Sequence, residues 1–335
     1  MRRAVLVWMA AAVILAAASP ARAMAPGAGG RVQKAELSPE ADRAIDSGLR
    51  FLARQQNADG SWAKRYTEAT TSLSLMAFML KGHFPGRPPY GDQLDKAVGL
   101  LLDRAKVGDG YMGVNMYEHG LATLALSEAW GMSDRKEIRD TLKRAVDVIL
   151  RAQAPSGGWR YRPRPEDADI SVTVMQIVAL ASAKEAGIHV PSTVIEKALR
   201  YVKSCQVKSD GGFGYQNASN PGFPRSAAGV MALLMCGERD SRAVIQGLEY
   251  LKRFPDSKFN NAEFYYYGHY YAIQAMYQAG ESYYQEWYPR IAKALVARQR
   301  PDGRWPGGEA DEEYSTAMSI LILGVPYRFL PIYQR

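Results

Sequence analysis

The chain has 335 residues, 42 Lys and Arg against 34 Asp and Glu, and 47% apolar residues. That allows one large globular domain or two ordinary ones and excludes wholesale disorder. Two cysteines cannot build a disulfide scaffold or a four-cysteine zinc site. The net charge of +8 is spread singly among acids, without a basic stripe, so no nucleic acid is expected as a partner.

Arg2 and Arg3 precede an unbroken apolar run from Ala4 to Ala18, and Ala21-Arg22-Ala23 has the small-x-small form of a cleavage site. The run is short for a bilayer and ends in Ser19-Pro20, so residues 1–23 predict a signal peptide rather than an anchor. Its removal takes three arginines and no acid, leaving +5. No second long apolar run follows. The protein is therefore expected to be exported, periplasmic or secreted, with no stable membrane anchor after cleavage. Residues 24–37 are Gly- and Ala-rich and aperiodic, as in a flexible leader. Ser38-Pro39-Glu40 then has the cap, first-position proline and acid of a helix start. A single domain is expected over 38–335.

From there the chain repeats itself. Gln56-Asn-Ala-Asp-Gly60-Ser-Trp62 recurs at Gln153 to Trp159, at Gln206 to Phe213 and at Gln299 to Trp305. Weaker copies stand at Gly108 to Tyr111 and Phe254 to Phe259, so six units follow one another at 45 to 54 residues. An amphipathic helix precedes each loop, and a helix apolar nearly all round and rich in small residues follows it. Such pairs predict an all-α fold of two concentric layers. Gly82, Gly131, Gly187, Gly237, Gly280 and Gly324 stand where C-cap glycines would end the inner helices. An open solenoid needs polar end units, whereas the last unit stays apolar through Val325 and beyond. A closed ring of six helical hairpins is expected. Cys205 and Cys236 fall at opposite ends of one hairpin, about 16 Å apart, which predicts two free thiols.

The Gln…Gly…Trp loops, closest at Arg50 to Trp62, resemble the repeat of squalene cyclases and of the wider prenyltransferase/squalene-oxidocyclase superfamily. The resemblance covers nearly all the chain after the leader and implies an α6/α6 barrel, or α/α toroid. The Gln and Trp residues themselves are expected to brace the ring, Gln on backbone groups and Trp across the junction between units.

Function must then lie where the loops feed the inner helices. Candidates there are Glu68, Glu118, His119, Asp167, Asp169, Arg225, Glu263, Tyr266, His269 and Tyr314. Asp167-Ala168-Asp169 resembles the Asp-x-Asp-Asp motif whose middle aspartate protonates the substrate in class II terpenoid cyclases. Ile170 replaces the last aspartate. The resemblance implies Asp169 as the acid, supported by Asp167 and His119. The residues alone equally allow Asp169 or Ser171 to cap the third inner helix. Glu118, Arg225, Tyr266, His269 and Tyr314 are candidate ligand contacts. No metal or cofactor is expected, because the Asp-x-Cys of zinc-dependent prenyltransferases is absent. His119 and His269 fall in one repeat register and should open inner helices of opposite units. Unit five, from Phe264 to Tyr288, is rich in tyrosine, which suits an isoprenoid cation as well as a sugar or peptide.

Three readings stand: a toroid binding an apolar, isoprenoid-like ligand, with or without cyclase activity; a non-catalytic module binding an envelope protein or glycan; and a secreted polysaccharide-acting enzyme.

Overall fold

The structure, a computed structural model, describes residues 36–164, 166–254, 259–260, 262, 264–308, 310–327 and 330. The expected signal peptide, the leader up to residue 35 and the candidate Glu263 lie outside the described residues.

Helix α1, Pro39–Gln55, begins as its sequence dictates: the Ser38 hydroxyl accepts from the Ala41 N–H at 3.1 Å and Pro39 fills the first position. Five further outer helices follow, α3 (Gly91–Val107), α5 (Glu137–Arg151), α7 (Ser192–Ser204), α9 (Arg242–Lys252) and α11 (Glu281–Arg298). Each turns one apolar stripe inward. In α5, Ile138, Leu142, Ala145, Val146 and Ile149 are buried while the charged residues between them face water.

The inner helices are α2 (Thr67–Leu80), α4 (Met116–Trp130), α6 (Ile170–Glu185), α8 (Phe223–Met235), α10 (Tyr265–Ala279) and α12 (Glu312–Leu323). They are buried on nearly every side, and α2 leaves only Thr67 partly exposed. Each packs on the next, and α12 packs back on α2 while α11 and α12 pack on α1, so the ring closes. The fold is the all-α toroid of six hairpins. Among the described residues there are no strands, only two isolated bridges, Trp159 with Asp169 and Gln206 with Phe213.

Four of the six expected C-cap glycines, Gly82, Gly187, Gly237 and Gly280, take the left-handed backbone. Gly131 and Gly324 do not, with φ of −80° and −85°, and their helices end in an ordinary right-handed turn. Both thiols are free, and Cys205 is buried.

Candidate functional site

The repeated loops form a brace with constant chemistry. Gln56 Nε2 donates to the carbonyl of its own Gly60 at 2.9 Å and to Gln93 in the next outer helix at 2.8 Å. Gln153 does the same with Gly157 and Val194, and Gln206 with Gly211 and Ala243. Gln299 donates to Gly303 and, across the closure, to Ala44 of α1 at 2.8 Å. The loop glycine sits against that neighbour with a positive φ, +96° at Gly303, where a Cβ would lie 2.3 Å from the Ser47 carbonyl. Only glycine fits there.

Trp62, Trp159 and Trp305 are wholly buried, and each indole N–H donates to a carbonyl of its own outer helix. Their backbone N–H groups donate to the hydroxyls of Thr71, Thr173 and Thr316 at 2.9–3.0 Å, and Phe213 does so to Ser226 at 2.8 Å. In unit two, His119 takes this place: its Nδ1 accepts from the Met112 N–H at 3.1 Å, so Nε2 carries the hydrogen and donates to Ala145. In unit five His269 holds the Phe259 carbonyl at 3.0 Å through Nε2. Burial depresses both imidazoles, His119 to about 4 and His269 to about 3, so both are neutral.

Counting two residues back from each of these six positions gives Ala69, Tyr117, Ser171, Pro224, Tyr267 and Tyr314. All six line one cavity of about 520 Å³. One register step on the inner helices therefore separates the brace from the central space. Glu118 and Arg225, one step closer to the brace, also line it. Tyr161 and Tyr215, each two residues past a Trp or Phe, complete the wall. Their carbonyls cap the N–H groups of Met116 and Ile170, so each loop seals the start of the preceding inner helix. Tyr117 reaches across the ring to Tyr267, at 6.3 Å between centroids, and to the Tyr271 hydroxyl at 3.2 Å. Side chains thus cross the lumen at this level. At the rim stand Tyr66 and Phe264, half exposed and both in the left-handed backbone region, at φ +50° and +47°.

Asp169 is fully buried and caps α6, its Oδ1 accepting from the Val172 N–H at 3.0 Å. Its Oδ2 lies 3.5 Å from Arg160 Nε, and the same guanidinium holds exposed Asp167 at 3.1 Å and covers the Tyr215 ring. Burial raises Asp169 to about 6, against the opposing pull of the Val172 N–H and Arg160. Of the candidates read from sequence, Glu118, Arg225 and Tyr314 come together in the cavity wall. Asp167, Asp169, His119, His269 and Tyr266 are not among its lining residues. Tyr266 donates its hydroxyl to the Pro306 carbonyl at 2.7 Å, and His269 packs among Phe223, Phe259 and Tyr265. The wall tyrosines Tyr117, Tyr161 and Tyr215 belong to no motif; the repeat register finds Tyr117. Among the described residues, no group of three or more His, Cys, Asp or Glu is placed to hold a metal ion, and no helix is long and apolar enough to cross a membrane.

A family model described as the squalene-hopene cyclase C-terminal domain matches residues 119–264. The chain is 32% identical over 151 residues to a drimenyl diphosphate synthase of Streptantibioticus cattleyicolor, an alignment covering 41% of this chain. It spans only 26% of that relative's length. Among solved structures, type II terpene cyclase MstE from Scytonema, in complex with geranylgeranyl dihydroxybenzoate, superposes with a TM-score of 0.57 at 16% identity, covering 87% of this chain and 98% of that one. An inactive variant of the α-1,6-mannanase GH76A of Salegentibacter sp. HEL1_6, in complex with α-1,6-mannotriose, gives 0.66 at 7% identity, covering 86% and 99%. At these identities both likenesses concern the fold alone.

Proposed function

We propose, for a chain that is a toroid of the prenyltransferase/squalene-oxidocyclase repeat superfamily, that the central cavity binds an apolar, isoprenoid-type ligand. The observation that carries this reading is the cavity itself. Its volume of about 520 Å³ lies within the usual range for small-molecule sites, and all six inner helices supply its wall. Tyr117, Tyr267 and Tyr314 line the same space, and aromatic walls suit an apolar chain and, where a ring faces it, a cation formed on that chain. The drimenyl diphosphate synthase relative supports the same direction, whereas the fold neighbours, a terpene cyclase and a mannanase, do not separate the readings.

Cyclase-type turnover is the finer form of this proposal. In it Asp169 would be the acid implied by the motif, acting from behind Ser171 and Tyr215. Burial keeps it close to half-protonated near about pH 6. Its Oδ1 caps α6, while Oδ2 has the Arg160 ion-pair contact at 3.5 Å and no hydrogen-bond partner, so a role in holding α6 is independent of any turnover. A glycan is the second reading, favoured by the hydroxyl-bearing tyrosines beside Glu118 and Arg225; an envelope protein docked at the mouth is a third. We also propose export, on the strength of residues 1–23.

Mass spectrometry of an organic extract of the purified protein tests the ligand reading. A copurifying isoprenoid is the expected result. A clean extract, with α-1,6-mannotriose bound and farnesol not bound in titration, would overturn it in favour of the glycan. Asp169→Asn should abolish any cyclisation observed; persistent turnover removes Asp169 as the acid. N-terminal sequencing of protein recovered from the culture medium or periplasm should begin after Ala23, and an intact N-terminus found only in the cytoplasm would refute export.

A further inference from the structure

The cavity wall ends abruptly with depth. On five of the six inner helices its lining stops within the first turn. One turn further on, Leu73, Met175, Ala228, Tyr271 and Met318 are buried and outside the wall. Only on α4 does the lining go a turn deeper, to Leu121 beneath Tyr117. The space is therefore a bowl at the N-terminal end of the inner helices. Side chains lean towards the N-terminus of their helix, here towards the mouth, so the buried layer reaches up to the level of Tyr117.

Tyr117 is the side chain that closes the bowl. It keeps part of its surface open to the cavity, whereas Tyr271, on α10 of the opposite unit, is wholly buried. The two hydroxyls share a hydrogen bond at 3.2 Å, and Tyr271 donates to the Met175 sulfur of α6 at 3.7 Å. A hydroxyl has a single hydrogen to give, so Tyr117 is the donor in the first bond and Tyr271 its acceptor. These two bonds tie three inner helices together across the lumen and hold the Tyr117 ring crosswise. Tyr267 flanks that ring at 6.3 Å between centroids and meets Tyr271 edge-on at 4.9 Å. Ala69, Ser171 and Pro224, in the same register, are too short to cross.

We propose that Tyr117 is the specificity-determining residue of the cavity: its ring sets the depth, and so the length of apolar chain that the cavity can bury. The proposal rests on the apolar-ligand reading and narrows it. A chain that fills the bowl leaves any further unit in water at the mouth, where it adds nothing to binding. A phenol side chain has more heavy atoms than an isoprene unit. Removing it therefore opens room for one such unit against Tyr271 and Met175.

The test uses the whole protein with geraniol, farnesol and geranylgeraniol, each longer than the last by one isoprene unit, binding being read by calorimetric titration. In the wild type, affinity should rise along the series and then level off. In Tyr117→Ala the levelling should come one unit later, that unit adding roughly three- to tenfold against less than about twofold in the wild type. Tyr117→Phe keeps the ring and should level off where the wild type does. A merely structural Tyr117 would lower all three affinities together and leave the levelling point alone. If the alanine variant does not fold, Tyr117→Leu should give the same shift to a smaller extent. Levelling at the same length in wild type and variant, or a shift in Tyr117→Phe as large as in Tyr117→Ala, overturns the assignment and leaves the apolar-ligand reading intact. Failure of every member of the series to bind the wild type overturns the two together.

Discussion

The two neighbouring registers of the inner helices obey opposite rules. At the brace, six positions play one constant role, since Thr71, His119, Thr173, Ser226, His269 and Thr316 all hold a loop main-chain group. Residue type varies there only within what can hydrogen-bond a peptide group. Two residues earlier, Ala69, Tyr117, Ser171, Pro224, Tyr267 and Tyr314 share a location but no single chemistry, three being tyrosine and the others small or cyclic. Repetition marks the part of the molecule that must be the same in every unit for the ring to close. Departure from repetition marks the part that meets a ligand. His119 shows why the distinction matters, since a histidine beside a cavity reads as catalytic until its two nitrogens are found occupied by Met112 and Ala145.

Removing a brace should have the largest consequence. Trp159→Ala loses a wholly buried indole and its bond to Ile149, and should cost about 3–5 kcal/mol in urea unfolding. A loss under about 1 kcal/mol would show that the loops do not carry the ring. On the cavity side, Glu118→Gln should have the opposite sign. Because Glu118 is raised from 4.5 to about 7, its neutral form stabilises the fold fully below about pH 4.5, and this is lost as pH rises through 7. At about pH 8 the amide should therefore be more stable than the wild type, by about 1–3 kcal/mol, with little difference at about pH 4.5. His119 and His269, shifted downward, act in the other direction and cost stability as pH falls below about 6.5. The comparison must for this reason be made between variants at each pH.

Gln299→Ala removes two carbonyl contacts, one of them to Ala44 across the closure, and should cost about 1–2 kcal/mol in the same measurement. Smallest of the four is Tyr66→Gly at the rim. It should raise stability by about 1 kcal/mol, since a tyrosine at φ +50° is strained. Farnesol affinity should fall at the same time. A change that weakens both would place Tyr66 with the brace rather than the cavity.

The ring was legible because its signals are local and repeated. Gln, Gly and Trp recur at fixed spacing, and helix faces show in the order of apolar residues. The C-cap glycines were legible only in part, since Gly131 and Gly324 end their helices without the left-handed turn. The site was harder to read because its chemistry comes from pairs remote in sequence. Glu68 and Glu118 both stood out as candidates, but their contact was not legible, because they lie 50 positions apart in different units and the rise of Glu118 comes first from burial and then from Glu68. Asp167 and Asp169 resembled a catalytic motif in one dimension. In three dimensions Asp169 Oδ1 caps the first turn of α6 and both aspartates lie against Arg160, while Asp169 Oδ2 keeps no hydrogen-bond partner. Tyr161 and Tyr215 shared only a spacing, two residues past the repeat's Trp or Phe, and that spacing does not mark a cavity position because it depends on a turn of the loop rather than on a helix period.

The bond from Gln299 to Ala44 joins residues 255 apart, and the Arg54 guanidinium likewise donates to the Asp302 carbonyl at 3.0 Å. In a linear array each unit can form on its predecessor, and contacts stay short-range. Here the final loop meets the first helix, a long-range contact whose closure entropy a linear array does not carry. During synthesis α1 and α2 emerge with the faces that α11 and α12 will cover still bare. Any holding factor that acts on this chain before release would thus act on the first hairpin.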